Sequence, residues 1–224
     1  MAQSLRTFAL AAAASAAAVT GSILAAPAIF AQGAPEVPGA PEPERITGGL
    51  YKADPAHSLV EFEVSHFGFN EYFGIFGDVE GTLVLDPANL EAATVDVMIP
   101  IAKVTTANAQ LTDHLLRPAK DGGMPDFFGP DPAPARFVST EIEVDGMQAA
   151  ITGNLTINGI TKPVTLEAEF IGAGVNPMNK KETVGFEAET EIKRSDFNVN
   201  YGIPLVSDEV ELEISIAFEL AKDM

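Results

Sequence analysis

Between residues 151 and 170 apolar and polar side chains alternate almost throughout on either side of Asn158-Gly159. Ile151, Leu155, Ile157, Ile160, Val164 and Leu166 share one parity; Thr152, Asn154, Thr156, Thr161, Thr165, Glu167 and Glu169 share the other. Period-two alternation predicts two strands, and Asn-Gly is the pair a type I′ turn prefers because both central residues need positive φ. The register then places Ile157 opposite Ile160, Leu155 opposite Lys162, Gly153 opposite Val164 and Ile151 opposite Leu166. Pro163 falls where it removes no ladder bond from this pair.

The same period recurs along the chain. Val210 to Leu220 alternates apolar with Glu209, Glu211, Glu213, Ser215 and Glu219; Val184 to Ile192 and Val60 to Val64 do likewise. Residues 75–85 and 92–99 predict two further strands, with Val79, Leu83 and Leu85, then Val95, Val97 and Ile99, facing inward. Arg136 to Val144 joins the opening hairpin through Asp145-Gly146, a second strong turn pair. The clearest helical stretch is Asn108 to Leu116, stopped by Pro118, and 118–135 predicts a long irregular loop. At least eight strands without alternating helices disfavour a parallel α/β sheet. The predicted class is all-β: an antiparallel sheet that buries its apolar face against itself, as a closed barrel or a two-sheet sandwich, with a short helix and long loop at one end.

The chain has 224 residues. Residues 1–31 carry one early cation, Arg6, an Ala-rich apolar run and small residues at Ala26, Ala28 and Ala31, and predict a cleaved secretory signal peptide. Residues 32–47, with Pro35, Pro38, Pro41 and Pro43, predict an extended linker, and residues 48–222 a single domain. No later segment is apolar enough to span a bilayer, so the exported chain is not expected to be an integral membrane protein. The net charge of −19 makes nucleic acid an unsuitable partner. Cys is absent, which removes disulfides, thiol catalysis and Cys-ligated metal.

Several segments taken in order resemble the YceI-like family of exported lipid-binding proteins. They are Tyr51-Lys-Ala-Asp-Pro-Ala-His-Ser58 running to Phe62 and His66-Phe-Gly68; Gly74-Ile-Phe76 running into Gly81-Thr-Leu-Val-Leu-Asp86; Asp113-His-Leu115 with Asp126-Phe-Phe128; Phe137-Val-Ser-Thr140; Gly153 to Val164; and Arg194-Ser-Asp-Phe197. The resemblance implies an antiparallel lipocalin-like barrel of about eight strands, an elongated apolar cavity holding a polyisoprenoid or similar long-chain lipid, and a periplasmic location. It departs at Leu116 to Pro125, an insertion where the family runs a short segment into Asp-Phe-Phe.

The candidate chemistry is apolar. Inward positions Phe62, Val64, Leu83, Val97, Gly153, Leu155, Leu166, Ala168, Phe170, Phe186, Ala188, Ile214 and Phe218 are the predicted cavity wall, with Gly153, Ala168 and Ala188 marking unfilled space. Arg117, Lys120 and Arg136 flank the loop and would supply cations to an anionic head group. No catalytic residue, metal ligand or cofactor beyond the bound lipid is predicted. His57, His66 and His114 lack tight ligand spacing, and Ser58, Ser65 and Ser139 lack a Gly-x-Ser-x-Gly elbow. The competing readings are a metal-dependent or hydrolytic envelope enzyme, and a solidly packed barrel acting as an interaction domain. The pattern leaves a homodimer open.

Overall fold

The computed structural model describes residues 37–221; the predicted signal peptide lies outside them, as do residues 32–36 of the linker and 222–224. Among the described residues the chain forms eleven strands and one α-helix. In chain order these are β1 (Gly49–Ala53), β2 (Leu59–His66), β3 (Asn70–Phe76), β4 (Glu80–Leu85), β5 (Thr94–Ile99), β6 (Val104–Thr106), α1 (Ala109–Leu116), β7 (Ala135–Asp145), β8 (Gln148–Ile157), β9 (Ile160–Val175), β10 (Glu182–Lys193) and β11 (Glu209–Leu220).

Every pairing is antiparallel, and the circuit β1-β4-β5-β7-β8-β9-β10-β11 closes when β11 returns to β1 through Tyr51–Leu220, Lys52–Glu219 and Ala53–Phe218. This is an eight-stranded closed barrel. Strand β11 is its seam: one edge pairs β10 from Glu209 to Glu219, while the other serves β1 at one end and β2, through Glu211 to Ser215, at the other. Strands β2, β3 and β6 therefore leave the circuit as a flap, and α1 follows β6 with Asn108 accepting from the N–H groups of Gln110 and Leu111. An N-cap of this kind satisfies two of the donors that a helix start leaves unpaired.

The β8–β9 hairpin has the predicted register throughout, and Asn158 and Gly159 both take positive φ, 51° and 75°. The β7–β8 turn differs. Asp145 pairs with Gln148, so the two central residues are Gly146 and Met147, and positive φ is confined to Gly146. That places glycine first, as a type II′ turn requires, rather than at the second position of a type I′ turn. The single strand expected over 75–85 is also broken. Chain direction changes between β3 and β4, where Asp78 adopts φ 56°.

The segment read as a linker is docked from residue 37 onward. Ala40 exchanges two backbone hydrogen bonds with Ala173, at 3.1 and 2.9 Å, and Pro43–Arg45 makes one 3₁₀ turn. Thr47 donates its N–H to Glu182 Oε1 at 2.8 Å and its hydroxyl to Oε2, and buried Tyr51 donates to Oε1 at 2.6 Å. Burial opposes ionisation of Glu182, yet these bonds hold its carboxyl below the usual carboxylate range. Burial, and then the bond to Glu182, push the Tyr51 phenol above its ordinary value. The backbone bonds to β9 are invisible to composition.

Polar parity leaves rows of carboxylates on the outer wall. Glu61 pairs with Glu213, Glu213 with Glu189 and Glu189 with Glu167 across four strands; Glu63, Glu211 and Glu191 form a second row. Like charges directly opposite are destabilising. Partial desolvation, followed by Glu211, Glu71, Glu213 and Glu61, pushes the Glu63 carboxyl above its ordinary value. A carboxyl raised on folding supports the fold below its unfolded pKa, about 4.3, and that support is lost as pH rises through the folded value. The rows should accordingly weaken the barrel at neutral pH. Raising NaCl from about 0.01 M to about 1 M, which shortens the screening length from about 30 Å to about 3 Å, is expected to raise the thermal midpoint at pH 7. Glu213→Gln should raise it at low salt. Thermal denaturation that moves in neither case would contradict this.

Candidate binding cavity

The barrel interior is not uniform along its length. Tyr51, Leu83, Phe170, Val184 and Phe218 are buried at the end where β1 meets β11, and Phe186 packs beside Phe170 and Phe218 with ring centroids 5.7 and 6.3 Å away. That end is solid. At the other end an apolar cavity of about 650 Å³ opens among β2, β5, β8, β11 and α1. Its size falls within the range of small-molecule sites.

The boundary between the two ends follows the same level on successive strands. On β11, Val210, Leu212, Ile214 and Ile216 line the cavity, while Phe218, one inward step further, belongs to the packed end. On β8, Leu155 and Ile157 line it; on β9, Leu166; on β5, Val97 and Ile99; on β2, Phe62 and Val64. Six of the predicted wall residues are thus brought together: Phe62, Val64, Val97, Leu155, Leu166 and Ile214. The other seven are not. Leu83, Phe170, Phe186 and Phe218 fill the solid end, and Ala168 and Ala188 pair with each other on the inward face, Ala188 also opposite Ile214, but neither lines the cavity.

Gly153 requires the plainest correction. A Cβ there would lie 2.6 Å from the Val138 carbonyl oxygen and would overlap the Phe137 ring. Its missing side chain makes room for an aromatic ring of the same barrel, not for a ligand. Parity identifies an inward position; it does not say what comes from across the sheet.

The predicted cations also separate. Ala135 and Phe137 face the cavity, so Arg136 points to the outer wall, where it holds Asp96 through two bonds of 2.8 and 2.6 Å. Lys120 lies in the 3₁₀ turn of the loop and is exposed. Arg117 stays near the rim but is engaged: its Nη2 lies 2.6 Å from Asp126 Oδ2 and 2.7 Å from His114 Nε2. His114 Nε2 is in turn 2.8 Å from Asp126 Oδ2. Unprotonated, that nitrogen accepts from Arg117; protonated, it donates to Asp126. Bonds from Arg117 and then His114 hold the Asp126 carboxyl below its usual range. The cluster joins the end of α1 to the inserted loop, and Phe128 N–H bonding to Leu115 O at 3.1 Å strengthens the join. His114 packs edge-on against Phe127 and Tyr201 at 5.1 and 5.0 Å, placing three rings at the rim.

One lining residue absent from the predicted wall is Arg194. It is buried, and its guanidinium donates to four carbonyl oxygens: Ser207 at 2.7 Å, Val199 at 2.8 Å, and Tyr201 and Val206 each at 2.9 Å. These bonds satisfy both the charge's hydrogen-bonding needs and the carbonyls of the 199–207 loop. Burial lowers the Arg194 pKa from its ordinary value while nearby Asp208 opposes the shift. A signal did exist: Arg194 continues the inward parity of Val184, Phe186, Ala188 and Ile192. Among the described residues no group of three or more His, Asp or Glu side chains is placed to hold a metal ion, and no helix is long and apolar enough to cross a membrane.

Comparison with known proteins places this geometry. Residues 51–218 match the family model described as YceI-like domain. Protein YceI of Shigella flexneri is 42% identical over 169 residues, 74% of this chain and 84% of the relative. The crystal structure of Burkholderia cenocepacia BcnA superposes with a TM-score of 0.60 at 26% identity, covering 74% of this chain and 98% of that one. A Saccharophagus degradans domain described as polyisoprenoid-binding shares the fold at TM-score 0.53 and 14% identity, over 76% and 98% of the two chains.

The unequal filling of the barrel makes opposite predictions for two inward positions. Gly153→Ala should destabilise by about 1–3 kcal/mol because the ring and carbonyl must move. Ile214→Phe extends into open space and should cost about 1 kcal/mol or less. Denaturant titration of both variants checks the contrast, and a reversed order would contradict the placement of the cavity.

Proposed function

The chain belongs to the YceI-like domain family, and from that premise we propose that it is a non-catalytic periplasmic binding protein that encloses a polyisoprenoid or similar long-chain lipid. The observation that carries this reading is the 650 Å³ cavity walled by aliphatic and aromatic side chains inside a barrel whose other half is solid. Each CH₂-sized unit moved from water into such a site contributes about 0.8 kcal/mol. Ten of them supply about 8 kcal/mol before ordering costs, the scale of a micromolar dissociation constant. No reactive group is required for affinity of that kind.

Three further observations support binding over hydrolysis. His114 Nε2 is engaged by Asp126 and Arg117; the Ser58 hydroxyl accepts from Ala217 N–H at 3.2 Å; and the Ser139 hydroxyl accepts from Val95 N–H at 2.9 Å. These groups serve the structure. The pairing of Arg117 with Asp126 and of Arg136 with Asp96 favours a ligand with an uncharged end over a diphosphate. The periplasmic assignment draws on the signal-peptide pattern of residues 1–31, and the isoprenoid class on the description of the Saccharophagus degradans domain.

Gentle purification followed by organic extraction and mass spectrometry is expected to yield a long-chain lipid near one per protein. Leu155→Trp, which projects a large ring into the cavity, should reduce the recovered lipid several-fold with the fold intact. Absence of lipid together with failure to take up an apolar fluorescent probe would overturn the reading.

A further inference from the structure

We propose that the open end of the barrel carries a membrane-docking face, an apolar collar of two uncharged segments that seats on the surface of a lipid bilayer beside the cavity mouth. The collar consists of two segments. The tip between β2 and β3, residues 65–70, carries Phe69 at 87% exposure and Phe67 at 48%; the 197–206 loop carries Leu205 at 58% and Tyr201 at 48%. The segments are bonded to each other. Phe67 N–H donates to Leu205 O at 2.7 Å, His66 bridges to Val206, and Ser207 N–H donates to Ser65 O at 2.9 Å.

Two features indicate what covers this surface. The first is charge: Asp, Glu, Lys and Arg make up 20% of the chain, yet none occurs in either segment. The barrel wall carries carboxylate rows instead. An acidic wall resists lying flat on a membrane with an anionic surface and leaves the collar as the face that approaches. The second is continuity. Phe67, Tyr201 and Leu205 are exposed and also line the cavity. Apolar surface therefore runs unbroken from solvent into the site, and a chain leaving a bilayer pressed against the collar would not cross water.

The shape suits lipid better than a flat protein interface. Phe69 stands at the end of a hairpin, and rings with an apolar body settle readily at the head-group boundary. The collar is also held in place beforehand, because Arg194 bonds the carbonyls of Val199, Tyr201, Val206 and Ser207. Docking would order little that is not already ordered.

The inference deepens the lipid-binding reading, and the test separates the two. The purified mature protein is floated with vesicles of phosphatidylcholine and phosphatidylethanolamine in equal parts, and uptake of an apolar fluorescent probe is measured in parallel without vesicles. Flotation is expected for the wild type. Phe69→Glu and Leu205→Glu should each reduce it about ten-fold or more with the thermal midpoint unchanged, whereas Val175→Glu, exposed near the solid end of β9, should float as the wild type does. A wild type that takes up probe but does not float would overturn the docking face and leave the cavity reading standing. Flotation without probe uptake would do the reverse. Docking is equally overturned if Phe69→Glu and Leu205→Glu float normally, or if the wild type is a non-floating dimer that Phe69→Glu converts to a monomer.

Discussion

A sheet with one apolar and one charged face must hide the apolar one, and the rest of this structure depends on how it does so. With one short helix among the described residues there is no second layer to cover it. The sheet curls until β1 meets β11, which buries the face and removes two edges together. Closure is completed at only one end, because β11 gives the other part of its free edge to β2. The solid core and the cavity follow from that division of a single strand between two partners.

Side-chain size reinforces the division. Tyr51, Phe170, Phe186 and Phe218 meet at the end where β1 pairs with β11, while Leu155, Leu166, Leu212 and Ile214 stand around the cavity. The rim is then stabilised by polar groups: Arg194 bonds four loop carbonyls, and Asp126 clasps α1 to the following loop through His114 and Arg117. An apolar site is thereby given a rigid mouth.

Alternation along the sequence made much of this legible. The face of every residue in the 151–170 hairpin, its register and its turn follow from parity and from Asn158-Gly159. So does the outward direction of Arg136, which parity opposes to Ala135 and Phe137. What parity does not encode is depth. Phe218 and Ile214 share a face, yet one is packed and the other borders open space, because depth is set by strand partners far away in sequence. Gly153 shows the same limit, since the Phe137 ring that fills its space comes from the neighbouring strand. The docking of residues 37–47 on β9 was hidden for a related reason: backbone bonds between Ala40 and Ala173 leave no mark in side-chain pattern.

The central claim is that the cavity half of the barrel holds an apolar chain. Its most direct test is a crystal structure of the protein purified from its own host without added lipid. Continuous elongated density running from the rim at Tyr201 down to Ile216, in contact with Val97, Leu155 and Ile214, is the predicted result. A cavity collapsed by inward movement of these side chains, or one holding only discrete waters, would contradict the account.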